Sequence, residues 1–214
     1  MKTRDRIIHS ATELFNDQGE RNITTNHIAA HLGISPGNLY YHFRNKEDII
    51  HSIFDQYARH LSESFTPARS DEIKLENLMG YLDAIFYLMW QFRFFYANLP
   101  DILSRDEPLQ QKYLKAQEQL RAAVVALLRS LREGGIINVS DEDLPDLGQT
   151  IKMVVTCWIP FQIAQAPNTR ITKPLLYQGV LRVLFLLRPY VQPQVADQIR
   201  QLEHHYRQLA QPAG

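Results

Sequence analysis

Apolar residues recur at helical spacing through nearly the whole 214-residue chain, and glycine, proline and polar capping residues separate the runs. Residues three and four positions apart share one face of an α-helix, whereas a half-buried strand alternates apolar and polar residues. No window shows that alternation, and the chain has no internal repeat, so it is predicted to be all-α. The first apolar run ends before Gly19 and contains Ile7, Ile8, Ala11, Leu14 and Phe15.

Three capping signals divide the N-terminal region into short helices. Thr24 is expected to cap a second helix, which Gly33 ends. Ser35 is expected to cap a third helix with Pro36 at its first position, where the missing N–H costs nothing. Asn45 is expected to cap a fourth.

The sequence TPARS at residues 66–70 is the stretch most typical of a linker, and we place the domain boundary there. The chain is thereby divided into an N-terminal domain of residues 1–65 and a C-terminal helical domain of residues 66–214. In the second domain, helices are predicted at residues 72–95, 108–133, 144–165, 172–187 and 193–209, with a turn at residues 98–100.

The charges of the chain give no indication of a nucleic-acid partner. There are 23 basic and 23 acidic residues, and residues 1–60 hold seven of each. Binding to nucleic acid would therefore need a local surface. A charged N-terminus, a single cysteine (Cys157) and the lack of an apolar run near the ~20 residues of a membrane span favour a cytoplasmic protein without membrane contact.

Residues 24–50, TTNHIAAHLGISPGNLYYHFRNKEDII, have the pattern of a helix-turn-helix. Two short amphipathic segments flank a turn in which Gly33 would supply a positive φ. Ala29 is small enough for the two helices to approach closely, and Ile34 fills the gap between them. The second helix would present its N-terminal end to the major groove of DNA.

This segment resembles the N-terminal domain of the TetR family of one-component regulators. Its residues follow the family pattern TT..IA..LG.S.G.LY.HF.NKE.L, with Ile49 in place of the final leucine. The specific resemblance covers roughly residues 5–55, and the rest of the chain resembles the family in its all-α architecture. The resemblance implies an N-terminal helix-turn-helix DNA-binding domain and a C-terminal helical domain that binds an effector and dimerises.

The resemblance also implies a set of DNA-contacting residues. Thr25 would bind phosphate. Asn26 lies where the family often places a base-reading side chain, and as an asparagine it is expected to contact an adenine or a phosphate. Asn38 is the expected base reader at the leading end of the second motif helix, beside Pro36 and Gly37. The other expected contacts, all with phosphates, are Tyr40, Tyr41, His42 and Lys46.

Each of these residues also has an ordinary structural interpretation. Tyr40 could pack in the core, although three polar-tipped aromatic residues in succession on a short helix cannot all face inward. His27 and His31 are four residues apart and could share a metal ion, but no carboxylate or thiol is spaced to complete the site. No metal or other cofactor is therefore expected.

The C-terminal domain is rich in aromatic residues between Tyr81 and Tyr96. A helix buried on most sides would explain them, but the run is wide for a core stripe. In the TetR family the equivalent region lines an effector cavity, which implies a small apolar or amphipathic effector here. The candidate lining residues are Phe86, Met89, Trp90, Arg93, Met153 and Trp158.

The predicted helices at residues 144–165 and 172–187 are apolar on broad faces. One face can pack inside the protomer, and the surplus resembles the family's dimer contact, a two-fold four-helix bundle. Val183 is expected at the centre of that bundle. We therefore expect a homodimer that binds a palindromic double-stranded operator.

The resemblance implies a ligand-responsive repressor. No enzymatic activity is expected, because no nucleophile–base pair, phosphate-binding glycine loop or metal set is present. An activator, or a DNA-binding adapter without a small-molecule effector, is the main alternative. An alternative from another class is an enzyme or transport domain that uses a helix-turn-helix for protein contacts. Operator binding would exclude that class, and an apolar cavity would favour a sensor over an adapter.

Overall fold

The computed structural model describes residues 2–66, 75–166 and 169–212. Within these ranges the chain forms ten α-helices and no strand, so the all-α prediction is confirmed. The N-terminal helices are α1 (Thr3–Gln18), α2 (Thr25–Leu32), α3 (Pro36–His42) and α4 (Lys46–Ser64), with a 3-10 turn at Glu20–Asn22. The others are α5 (Leu75–Gln91), α6 (Arg93–Ser104), α7 (Glu107–Glu133), α8 (Leu144–Gln165), α9 (Lys173–Leu187) and α10 (Ala196–Leu209).

The N-caps predicted from the sequence are confirmed. Each capping side chain accepts a hydrogen bond from a backbone N–H three residues on, which satisfies a donor that the helix start leaves without a partner. Gly33 has φ 65°, the left-handed conformation expected of the turn between α2 and α3. The three capping pairs are Thr24 with His27, Ser35 with Asn38, and Asn45 with Asp48.

Helix α4 joins the two halves of the molecule. On one side it packs against α1, which also packs against α2, and on the other it packs against α5 and α7. Helix α8 packs against α6, α7 and α9, and α9 packs against α5 and α10. The core is therefore continuous from the N-terminal helices through α4 into the C-terminal ones.

The sequence-based bounds of α5 and α6 are wrong. Helix α5 ends at Gln91, and α6 runs through the residues predicted as a turn, where Asn98 (φ −126°, ψ 15°) has non-helical angles. The break lies at Phe92 because Asn16 of α1 satisfies the backbone groups freed there. Its side chain donates to the Gln91 carbonyl at 2.9 Å and accepts from the Phe94 N–H at 3.0 Å.

Two other predicted boundaries need comment. Apart from Thr66, the predicted linker and the predicted helix start at residue 72 lie outside the described residues. The last helix begins at Ala196 rather than residue 193, because Pro193–Val195 form a 3-10 turn. No helix of the described ranges is long and apolar enough to cross a membrane.

Candidate functional site

Helix α3 is held by a buried residue and directs most of its other side chains to solvent. Leu39 of α3 and Ile28 of α2 are both completely buried in the core. Pro36, Gly37 and Asn38 at the start of α3 are exposed. The residues predicted to enter a DNA groove therefore lie on an accessible surface.

The first turn of α2 and the middle of α3 meet at a pair of hydroxyl groups. The Thr25 Oγ1 lies 3.1 Å from the Tyr40 Oη, and the Tyr40 side chain is half exposed. Asn26, the neighbour of Thr25, is exposed as well. Two hydroxyls at one edge of the motif can both donate to the oxygen atoms of a single phosphate.

The end of α3 carries two adjacent rings. Tyr41 is 85% exposed, more than any other large hydrophobic residue of the described chain, and the half-buried His42 ring meets it edge-on at 5.1 Å. A side chain so exposed contributes little to the core, so packing does not account for Tyr41. With Thr25, Asn26 and the start of α3, these rings make up a polar surface.

Lys46 occupies a different environment from the other predicted contacts. Its Nζ lies 2.7 Å from the Glu20 Oε1 and donates to the Glu20 carbonyl at 3.0 Å, and its side chain is 20% exposed. The Glu20 side chain is completely buried, and its other carboxylate oxygen lies 2.8 Å from Arg105, the residue directly after α6. A phosphate that binds Lys46 would therefore compete with Glu20 for the ammonium.

Glu20 joins three elements and was not identified from the sequence. It lies in the 3-10 turn after α1, while its two cationic partners begin α4 and follow α6. A buried carboxylate is stable only when it is paired and hydrogen-bonded. No local signal distinguishes Glu20 from a surface glutamate, because Arg105 lies 85 positions away.

Replacing Glu20 by glutamine is expected to lower the free energy of unfolding by about 1–2 kcal/mol. The loss falls below the ~3–5 kcal/mol typical of a broken buried pair because Arg105 is 40% exposed and can be hydrated. Urea unfolding followed by circular dichroism measures it. Glu13→Gln, at an exposed site of α1, is the matched control and should change stability by less than about 0.5 kcal/mol. Equal midpoints for the two variants would contradict the structural role of Glu20.

The six residues predicted to bind an effector do not share a cavity. Phe86 stacks on Tyr177 of α9, with ring centroids 4.0 Å apart, and Met89 is completely buried. Trp90 lies under the guanidinium of Arg93, which pairs with Asp17 of α1 at 2.6 Å. The remaining two, Met153 and Trp158, lie along the side of α8 that borders α9.

The structure has a cavity elsewhere, among helices α4 to α8. Its volume is about 60 Å³, and its wall is mostly apolar, with a polar part formed by Gln117, Lys152 and Thr156. A lysine in the middle of the apolar α8 was the sequence signal that could have indicated it. The lining residues are Tyr57, Leu61, Phe65, Ile85, Leu88, Tyr96, Gln117, Leu120, Val124, Ile151, Lys152, Val155 and Thr156.

Two buried tyrosines are part of this wall. The rings of Tyr57 and Tyr96 meet edge-on at 6.1 Å, and the Tyr57 hydroxyl interacts with that of Tyr96 and with the Gln117 side chain. Burial raises the pKa of both tyrosines, so both remain neutral hydroxyls at physiological pH. The cavity therefore has hydrogen-bonding groups at one place and apolar groups over the rest of its wall.

Helices α8 and α9 present an apolar face to solvent. Met153, Phe161 and Phe185 are each more than half exposed, and they line an open groove of about 430 Å³ together with Trp158 and Leu186. The expectation that Val183 lies at the centre of this face is wrong. Val183 is 2% exposed and packs inside the protomer, because α9 turns that side towards α5.

Comparison with known proteins identifies both halves of the chain. Residues 7–53 match the family model described as bacterial regulatory proteins of the tetR family, and residues 56–199 match the model described as a bacterial transcriptional repressor of the TetR type. The crystal structure of a TetR-family transcriptional regulator from Marinobacter aquaeolei VT8 is 41% identical, with a TM-score of 0.86 over 97% of this chain and 100% of that one.

Two regulators from Pseudomonas putida are similar over a shorter range. The HTH-type transcriptional regulators SrpR and TtgW, the second described as uncharacterised, are each 33% identical over 85 residues, or 39% of this chain. The match spans 40% of SrpR and 63% of TtgW. The helix-turn-helix and the matched second domain make this chain a member of the TetR family of transcriptional regulators, which are DNA-binding proteins and not enzymes.

Proposed function

We propose that the protein is a cytoplasmic repressor that binds a palindromic operator as a homodimer and releases it when a small apolar or amphipathic molecule binds. The observation that carries the proposal is the accessible surface of α2 and α3, where the Thr25 and Tyr40 hydroxyls meet and the start of α3, with Asn38, is exposed. Residues 1–65 would act as the DNA-binding domain and residues 66–214 as the regulatory domain.

Contacts on this surface divide into two kinds. The residues proposed to bind phosphate are Thr25, Tyr40, Tyr41 and His42, with Lys46 joining them when a phosphate replaces Glu20. Asn38 would read base edges and Asn26 would contact an adenine or a phosphate, while Pro36 and Gly37 allow a close approach of the backbone. Phosphate contacts set the affinity, and base contacts set the preference for one sequence.

Dimerisation would place two such surfaces on one operator. The exposed apolar face of α8 and α9 suits a second copy of this chain, because a self-complementary patch of aromatic and aliphatic residues is typical of a two-fold interface. The two α3 helices would then contact half-sites about one helical turn, or roughly 34–36 Å, apart.

The cavity supports a ligand-responsive function over that of an adapter without an effector. Tyr57, Leu61 and Phe65 of its wall belong to α4 or follow it directly, and Lys46 begins the same helix. The 19 residues of α4 span about 28 Å, so a displacement at the cavity moves the end of the helix beside the DNA-binding surface. An effector releases DNA only if it binds better to the displaced state.

Selection of DNA fragments from a random pool, followed by fluorescence anisotropy over a series of salt concentrations, tests the proposal. We expect a palindromic site bound by two protomers, with an affinity that falls steeply as salt rises, because phosphate contacts release counterions. Failure to prefer any selected sequence over random DNA would overturn the proposal. Activation of transcription from the selected site would instead favour the alternative of an activator.

Asn38→Ala is expected to cost about 1–3 kcal/mol of binding to the selected operator and almost nothing on random DNA. The reason is that a base contact contributes only where its base is present. Tyr40→Phe is the comparison variant, since it removes a hydroxyl proposed to bind phosphate and should weaken both DNAs alike. Equal losses on both DNAs for Asn38→Ala would remove this residue from the base-reading role.

A further inference from the structure

A second void adjoins the cavity and extends it along α7. Its volume is about 50 Å³, and the side chains of Phe65, Ile85, Val124 and Ile151 border both spaces. The first space reaches Gln117 of α7 and the second reaches Leu131. Fourteen helical steps separate these residues, a length of about 21 Å at 1.5 Å per residue. The two spaces are thus consecutive lobes of one elongated site.

The two lobes differ in chemistry. The second is lined by leucine, valine, isoleucine and phenylalanine with one tyrosine, Tyr81, whose hydroxyl donates to the Thr66 carbonyl at 3.3 Å. The first is lined by the polar residues Gln117, Lys152 and Thr156 and by the two tyrosines. An occupant of both lobes therefore needs a long apolar body and a polar group at one end.

Lys152 determines the charge of that polar group. Its Nζ donates to the Gln117 carbonyl at 3.3 Å, and no carboxylate of the described residues forms an ion pair with it. Glu118 and Arg121 of α7 act on it from a distance and pair with each other at 2.6 Å. Burial, and next the charge of Arg121, lower the pKa of Lys152, while the charge of Glu118 opposes them in part.

We propose that the effector is an elongated apolar molecule with an anionic head, of the fatty-acid class. Its head binds Lys152 and the hydrogen-bonding groups around it, and its tail fills the second lobe. A partly buried ammonium without a carboxylate partner favours an anion over a neutral or cationic group. The inference rests on the proposed ligand-responsive function and assigns the chemistry of the ligand.

The size of the lobes connects this occupant to the DNA-binding surface. Ligand pockets usually measure about 300–1,000 Å³, far more than the two lobes together, so a long-chain ligand has to displace the side chains between them. One of these is Phe65, the residue directly after α4, which packs on Tyr81. Binding would therefore shift the far end of the helix that begins with Lys46.

Calorimetric titration of the full-length protein without DNA tests the inference. Dodecanoate is the probe, and dodecanol and dodecyltrimethylammonium are its neutral and cationic counterparts. We expect dodecanoate to bind at least about tenfold more tightly than either, because a charge-assisted hydrogen bond strengthens binding to that extent. The affinity for hexanoate should be lower than that for dodecanoate by a factor of about a hundred or more, since hexanoate buries fewer methylene groups. Equal binding of the anionic and cationic probes, or no dependence on chain length, would overturn the inference.

Lys152→Met keeps the length of the side chain and removes its charge. It should lower the affinity for dodecanoate about tenfold and leave that for dodecanol unchanged. Lys115→Met is the matched control. Lys115 is an exposed residue of α7 that lines neither lobe, so this substitution should change neither affinity. An unchanged dodecanoate affinity in Lys152→Met would overturn the inference. Operator binding without dodecanoate binding would overturn this inference alone, whereas dodecanoate binding without operator binding would overturn the proposed function.

Discussion

Replacing Phe161 by glutamate should convert the proposed dimer into a monomer and lower operator affinity about a hundredfold or more. Phe161 is 52% exposed and lies in the apolar face of α8 and α9 beside Phe185. A carboxylate there would lose its hydration in the proposed dimer, at a cost that Arg182 of the same groove offsets only in part, but it would be hydrated in the monomer. A monomer binds one half-site and loses the gain in affinity that two linked sites provide.

Leu114→Glu is the matched control for this substitution. Leu114 of α7 is 54% exposed and lies outside the groove of α8 and α9, so the same chemical change is made at another surface. Light scattering should show a dimer for the control and a monomer for Phe161→Glu, with the same helix content by circular dichroism. A wild-type monomer at micromolar concentration, or a dimer that survives the substitution, would contradict the proposed interface.

Gly179→Ala should destabilise the protein by about 2 kcal/mol, although alanine is the better helix former. A Cβ at position 179 of α9 would lie 2.7 Å from the Trp158 Cδ1, closer than packed atoms approach. The indole cannot move aside freely, because it is 8% exposed and its Nε1 donates to the Leu175 carbonyl at 2.9 Å. The added methyl group therefore pushes α8 and α9 apart.

Gly80→Ala measures the helix propensity without the clash. Position 80 of α5 is exposed, and a Cβ there meets nothing within 4 Å. This variant should gain about 0.5–1 kcal/mol, so the two glycine substitutions should differ in sign. Thermal unfolding should show a midpoint about 4–8 °C below wild type for Gly179→Ala. Stabilisation by both substitutions would show that α8 and α9 do not approach closely at Gly179.

The features predicted correctly from the sequence depend on neighbours in the chain. The caps at Thr24, Ser35 and Asn45 bond to residues three positions on, and the left-handed Gly33 is required by the turn itself. The motif that carries the family resemblance also consists of residues close together in the sequence. Fold class and the DNA-binding domain could thus be predicted.

The features that were missed depend on distant residues. The break at Phe92 follows from Asn16, more than 70 positions earlier, and the burial of Glu20 depends on Arg105. The cavity is built from five helices, so an aromatic-rich stretch of α5 could not locate it. The position predicted for Val183 was wrong because apolar periodicity indicates which faces of α9 are apolar. It does not distinguish a face that packs inside the protomer from one that a partner covers.

Several exposed ion pairs join the N-terminal helices to α6 and α7. Arg21 pairs with Asp101, and Lys112 pairs with Asp55 at 3.0 Å. Mobile ions screen such exposed pairs as they screen phosphate contacts, whereas the buried Glu20 is shielded from them. Rising salt would therefore weaken the contacts between the N-terminal helices and the C-terminal domain, and it would also weaken the phosphate contacts with the operator. The fall in operator affinity with salt should then be steeper than the number of phosphates contacted implies.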